Sequence, residues 1–117
     1  MASEPAIKPK IISQMVDLGG TTLHLRVFGG GEGDSGSEGD TPLILLHGLG
    51  GDSTSWTLNH RQLAVGRRVI SVDLPGHGKS DRNVGEATVP STADLLSGLP
   101  DALGIERFHL LGLSYGG

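Results

Sequence analysis

Gly112-Leu113-Ser114-Tyr115-Gly116-Gly117 sets one serine hydroxyl between small residues two positions before and two positions after it. The spacing G-x-S-x-G suits a sharp strand-to-helix turn, a nucleophile elbow, in which the serine is strained and its Oγ projects from the carboxyl edge of a sheet. Gly112 and Gly116 keep side chains from clashing across that turn. Backbone N–H groups and the positive end of the following helix then face the point where an oxyanion would form. The chemistry this allows is nucleophilic attack by Ser114 on a carbonyl carbon. A plain glycine-rich loop is the competing reading. The apolar run from Phe108 to Leu111 leads straight into the motif, and Gly117 lets a helix pack closely behind it, so the elbow is preferred.

Two further segments fit the same chemistry. His47-Gly48-Leu49-Gly50-Gly51 follows the apolar run 43–46. An oxyanion hole takes one N–H from the residue after the nucleophile, here Tyr115, and one from a loop after an upstream strand, here Leu49. Glycines such as Gly48 let the backbone approach a substrate closely. His47 reads as a structural residue that hydrogen-bonds neighbouring loops, with the catalytic base as its less favoured alternative. The third segment is Asp73-Leu74-Pro75-Gly76-His77-Gly78-Lys79-Ser80. Its Gly-Lys-Ser matches the end of a phosphate-binding loop, but the glycine required five residues before Gly78 is Asp73, whose carboxylate would oppose a triphosphate. A strand-to-loop turn that shapes the rim of the site is the better reading.

The elements that must position these segments alternate. Residues 11–18 and 21–28 are β-rich, with Gly19-Gly20 between them as a hairpin signal. In the second run Leu23, Leu25 and Val27 alternate with His24 and Arg26, which predicts one buried and one wet face and puts His24 in solvent. Residues 43–46 and 68–73 read as buried strands and 107–111 as the last strand. A helix is expected over 53–64, capped by Ser53 or Thr54, with Trp56, Leu63 and Ala64 turned inward. A second is expected over 91–103, capped by Ser91 or Thr92 and bent or broken near 96–100 by Gly98 and Pro100. Residues 74–90 read as a loop. Strands alternating with helices predict a parallel sheet with right-handed crossovers.

Composition narrows the classes. The 117 residues suffice for about one domain. Residues 1–10 read as a flexible lead-in, and 29–41 as a loop rich in glycine and acids. The G-x-G-x-x-G at Gly31, Gly33 and Gly36 is rejected as a dinucleotide site, because Glu32 and Asp34 would repel phosphates and no helix follows. Glycine fills 20 positions and aromatics are scarce (2 Phe, 1 Trp, 1 Tyr), which disfavours a base-stacking surface. A net charge of −4 argues against a nucleic-acid partner. No cysteine is present, so disulfides, thiolate catalysis and thiolate metal sites are excluded. Neither a secretory signal nor an apolar run of about 18 residues is seen, and a soluble cytoplasmic chain with no membrane association is the expectation.

The three segments, L-H-G-L-G-G, V-D-L-P-G-H-G-K-S and L-L-G-L-S-Y-G-G, occur in an order that resembles the α/β-hydrolase superfamily. The resemblance covers residues 12–117. It implies an α/β fold whose mostly parallel sheet begins with an antiparallel hairpin, and a serine hydrolase acting on an ester, thioester, lactone or carbon–carbon bond through an acyl-enzyme. It implies a small-molecule substrate and neither metal nor organic cofactor. Serine at the elbow disfavours the superfamily's dehalogenases and epoxide hydrolases that use aspartate there. HGLGGDSTSWTLNH and GRRVISVDLPGHGKS are similar to the hydrolase-like domain fused to some acetoin dehydrogenase acyltransferase subunits. That likeness implies a possible place in a multienzyme complex, with a non-catalytic module as the alternative function. Departures are Leu113, where the family often has His, the insert at 29–41, and Pro100. None removes a catalytic atom.

The chain order of this fold is Ser, then Asp or Glu, then His. All five histidines (24, 47, 60, 77 and 109) precede Ser114, and His109 lies on the strand entering the elbow. The resemblance therefore implies the N-terminal half of the fold, incomplete, with residues 11–117 forming a partial domain. It implies a fragment that is inactive alone and an enzyme only as a longer chain, with an apolar sheet edge and face left open.

Overall fold

The computed structural model describes residues 11–29, 41–82, 84, 86 and 88–117. The lead-in expected over 1–10 and the glycine pattern at Gly31, Gly33 and Gly36 lie outside the described residues.

Five strands form one sheet: β1 (Ile11–Leu18), β2 (Thr21–Phe28), β3 (Leu43–Leu46), β4 (Val69–Val72) and β5 (His109–Gly112), in the order β1-β2-β4-β3-β5. The first two make the antiparallel hairpin across Gly19-Gly20, and β2 meets β4 antiparallel. The other two pairings, β3 with β4 and β3 with β5, are parallel. β3 and β4 are buried at all four positions of each, β3 as a continuous apolar run and β4 with Ser71, whose hydroxyl donates to the Ser53 carbonyl at 2.9 Å.

Apolar side chains divide into two clusters. Leu23, Leu25, Ile44, Leu46, Ile70 and Val72 meet Leu74, Leu99 and Ile105 in one. Phe28, Leu43, Leu45 and Val69 meet Ala64, with Trp56 and Leu63 alongside, in the other.

His24 is not on a solvent face: it is 4% exposed, between Leu23 and Leu25 at 0%. Alternation predicts a wet face only where one side of a strand is uncovered. β2 is an interior strand flanked by β1 and β4, and polar partners cover its second face.

The single helix expected over 53–64 is two short pieces, a 3₁₀ turn at Ser53–Trp56 and one turn of helix, α1, at His60–Leu63. The cap is Asp52, whose carboxylate accepts from Thr54 N at 2.8 Å. Hydroxyls in this stretch bond the local backbone, Thr57 Oγ1 to the Thr54 carbonyl at 2.6 Å among them, and compete with helix propagation.

Over 91–103 the break comes where Gly98 and Pro100 place it: α2 is Val89–Leu96 and α3 is Leu99–Ala102. α2 starts earlier than expected. Its cap is Thr88, which forms a reciprocal capping box with Ser91 and leaves Pro90 in the first turn, where its missing N–H costs nothing. No described helix is long and apolar enough to cross a membrane.

Candidate active site

β5 delivers the elbow. Gly112 pairs with Leu46 at the end of β3, and Leu113 N donates to the Leu46 carbonyl at 3.1 Å. Leu113 is extended at φ −118°, and the chain then reverses at Ser114 with φ +55°. Ser114 is the one described non-glycine residue in the left-handed region, a conformation that costs about 1–3 kcal/mol and persists only where neighbours impose it. Here backbone contact imposes it. A Cβ on Gly116 would stand 2.5 Å from the Leu46 carbonyl oxygen and 2.6 Å from that of His47, and one on Gly112 would strike the Gly116 carbonyl. The 3₁₀ turn Ser114–Gly116 closes with Gly116 N on the Leu113 carbonyl and Gly117 N on Ser114, each at 2.9 Å.

The 47–51 loop lies against this turn. A Cβ on Gly48 would sit 3.4 Å from Ser114 Cβ and 4.0 Å from its Oγ. The loop carrying Leu49 N is thus next to the serine, and Tyr115 N directly follows it. Tyr115 turns its ring toward the core, its hydroxyl 3.4 Å from Thr92 Oγ1 of α2.

Two histidines brace that loop. His47, wholly buried, accepts from Leu74 N at Nε2 (3.0 Å) and donates from Nδ1 to the Gly48 carbonyl (2.7 Å). His77 accepts from Gly50 N at Nε2 (3.1 Å) and donates from Nδ1 to the Pro75 carbonyl (3.0 Å). The rings lie 4.9 Å apart at a 55° tilt. Each ring accepts at one nitrogen and donates at the other, which only the neutral imidazole can do. Burial pushes the His47 pKa down, a shift that the Gly48 carbonyl opposes and His77 reinforces.

The 73–80 segment is built around one carboxylate. Asp73, 2% exposed, accepts from Ser53 N at 2.5 Å, from Lys79 N at 2.9 Å and from His24 Nδ1 at 2.7 Å. Ser80 Oγ donates to the Asp73 carbonyl at 2.6 Å and accepts from His24 N at 2.8 Å. Burial, the largest single influence on this carboxyl, acts to raise its pKa. The amides of Lys79 and Ser53 and the His24 ring outweigh it and hold the pKa below the usual aspartate value. The Lys79 amide that a phosphate would need is thereby occupied by the protein's own anion.

Ser114, Gly48, Gly112 and Gly116 are brought together, with the Leu49 and Tyr115 amides beside them. None of the five histidines hydrogen-bonds Ser114 among the described contacts. His24, His47 and His77 are engaged as above, His60 stacks on Phe28 at 3.8 Å, and His109 is exposed on β5. Sequence reasoning missed the bracing by His77, the burial of His24 and the hub at Asp73. The one local signal was a polar Asp directly after a four-residue buried run. A cleft of about 740 Å³, lined by Leu96, Leu99, Phe108, Leu110 and Tyr115, runs under the elbow on the α2 side. Tyr115, Gly116 and Gly117 of the elbow line it, whereas Ser114 and Leu49 do not.

A family model described as alpha/beta hydrolase fold matches residues 41–117. The chain is 41% identical over 104 residues to the dihydrolipoyllysine-residue acetyltransferase component of the acetoin cleaving system of Pseudomonas putida, a match covering 89% of this chain and 26% of that protein. It is 45% identical over 89 residues to the 2-hydroxy-6-oxononadienedioate/2-hydroxy-6-oxononatrienedioate hydrolase of Burkholderia vietnamiensis, covering 72% and 31%. Among solved structures, a putative hydrolase from Bacillus subtilis superposes with a TM-score of 0.78 at 30% identity, over 93% of this chain and 36% of that one. The chain thus spans about a quarter to a third of the length of these three proteins.

Proposed function

This chain belongs to the α/β-hydrolase fold family, and from that premise we propose that Ser114 is the nucleophile of a serine hydrolase. Its Oγ attacks the carbonyl of an ester, thioester, lactone or carbon–carbon substrate, and an acyl-enzyme forms on Ser114. The Leu49 and Tyr115 N–H groups hold the developing oxyanion. The observation that carries the reading is the left-handed Ser114, locked by Gly112 and Gly116 and adjoining Gly48. The reading takes its general base and acid from outside these 117 residues: four of the histidines are engaged elsewhere, and His109, exposed on β5, makes no hydrogen bond to Ser114 among the described contacts. Without a base the Ser114 hydroxyl is a weak nucleophile, so the 117 residues alone are expected to be inactive.

The test is a chimera in which the matched segment replaces its counterpart in the Burkholderia vietnamiensis hydrolase. The chimera is expected to hydrolyse that enzyme's substrate, and Ser114→Ala to lower kcat by about 10⁴-fold or more. Retention of a tenth of the activity by Ser114→Ala would remove the nucleophile assignment. A second reading, a non-catalytic module of an acyltransferase complex, is favoured by the acetoin-system names of two relatives, from Pseudomonas putida and Cupriavidus necator. Failure of a fluorophosphonate probe to label Ser114 in the chimera, with binding to acyltransferase partners intact, would select it.

A further inference from the structure

We propose that Ser13, His24 and Asp73 form a second serine relay, separate from the elbow, that captures activated acyl or phosphonyl groups on Ser13 Oγ. Three adjacent strands bring it together on one face of the sheet. The β1–β2 register sets Met15 opposite His24 and Ser13 opposite Arg26, so Ser13 is diagonal to His24. The β2–β4 register continues one step past Leu25 and Val72 to His24 and Asp73, where Asp73 N donates to the His24 carbonyl at 2.9 Å. Ser13 Oγ lies 3.1 Å from His24 Nε2, and His24 Nδ1 lies 2.7 Å from Asp73 Oδ2. That is the connectivity of a Ser-His-Asp triad: hydroxyl to Nε2, Nδ1 to carboxylate.

The environment suits the roles. Asp73 and His24 are 2% and 4% exposed, while Ser13 stands exposed on the edge strand. The amides of Ser53 and Lys79 keep the Asp73 carboxylate charged. With Nδ1 on that carboxylate, Nε2 of His24 is the ring atom that faces the Ser13 hydroxyl and can take its proton. Arg26, the cross-strand partner of Ser13, adds a cation on the same face, its guanidinium 5.7 Å from the Phe28 ring centroid. β1 and β5 are opposite edges of the sheet, so four strand spacings, roughly 19 Å, part Ser13 from the strand that carries the elbow.

In the step proposed, Ser13 Oγ bonds to the electrophilic carbon or phosphorus and its proton passes to His24 Nε2. The bond to the leaving group breaks, and the leaving group departs with that proton. The product is a Ser13 ester, formed by single capture.

The test uses the chain as it is. Treated with excess p-nitrophenyl acetate and, separately, with a fluorophosphonate, its adducts are mapped by peptide mass, which reads Ser13 and Ser114 independently. Ser13 is expected to be modified at least about tenfold faster than Ser97, an exposed serine outside both sites. His24→Asn keeps an amide facing Asp73 and removes the base, and should bring Ser13 down to the rate of Ser97, as should denaturant on the parent chain. A Ser13 rate equal to that of Ser97 in the parent overturns the proposal without any variant. So does a fast Ser13 rate that survives His24→Asn, since the hydrogen bond would then be only a staple between strands.

Discussion

The elbow around Ser114 and the hub around Asp73 sit at the carboxyl ends of parallel strands in one sheet, and they hold their key residue by opposite means. At Asp73 both carboxylate oxygens are engaged by buried or partly buried donors, from Ser53, Lys79 and His24. At Ser114 the side chain is exposed and has no hydrogen-bond partner among the described residues. Glycine-to-carbonyl contacts two residues to either side fix its backbone instead. A satisfied anion is a fastener, whereas a left-handed backbone carrying an exposed hydroxyl, with no side-chain partner among the described residues, is the arrangement the proposed nucleophile needs. The hub in turn supports the site, since the segment it anchors carries His77 to Gly50 and Leu74 to His47.

Removing the fastener should produce the largest effect. Asp73→Ala strands three donors, two of them buried, and is expected to cost about 3–5 kcal/mol in denaturant unfolding; a loss below about 1 kcal/mol would mean that the hub is not a fastener. Gly116→Ala comes next, at about 1–3 kcal/mol, because its methyl meets the Leu46 and His47 carbonyls. The same variant should shift the backbone resonances of Ser114, and an unmoved Ser114 would count against backbone locking.

Acid should loosen the two regions in separate windows. The His47 pKa is lowered in the fold, so the unfolded state binds more protons near pH 6.5 and stability falls as pH drops through that value. His60, whose pKa burial also lowers, adds to this window. Asp73 is likewise lowered, so its contribution is full above the ordinary aspartate pKa and is lost only at more acidic pH. Unfolding followed from pH 8 to 3 should show a histidine step and then a carboxylate step, and His47→Gln should shrink the first alone. The smallest effect carries the opposite sign. Ser114→Gly relieves a left-handed residue and should raise stability by about 0.5–1 kcal/mol. A destabilisation there would show that Ser114 is not strained.

Much of the fold was legible. The runs at 11–18, 21–28 and 43–46 form strands with those bounds, and 68–73 and 107–111 hold β4 and β5 to within a residue or two. Each is a continuous stretch whose apolar pattern is local. Gly112 was legible for the same reason, since its clash is with the Gly116 carbonyl four residues on, whereas Gly116 avoids the Leu46 and His47 carbonyls, which only the β3–β5 pairing brings near. The helix over 53–64 was misread because the pattern of Trp56, Leu63 and Ala64 was weighed without the Ser and Thr hydroxyls that compete for its backbone. The true cap of α2 was overlooked because Thr88 precedes Val89 and Pro90, ahead of the obvious Ser91-Thr92 pair.

By itself, the sequence determined the five strands, the break at Gly98 and Pro100, and the small residues about Ser114. Apart from the approach of Gly116 to the Leu46 and His47 carbonyls, these depend on interactions a few residues apart. Tertiary structure alone decided that His24 is buried, that Asp73 binds Ser53, Lys79 and His24, and that His77 holds Gly50. Those pairings join residues 6 to 49 positions apart, and they exist only once β2 pairs with β4 and the 47–51 loop lies over the 73–80 turn.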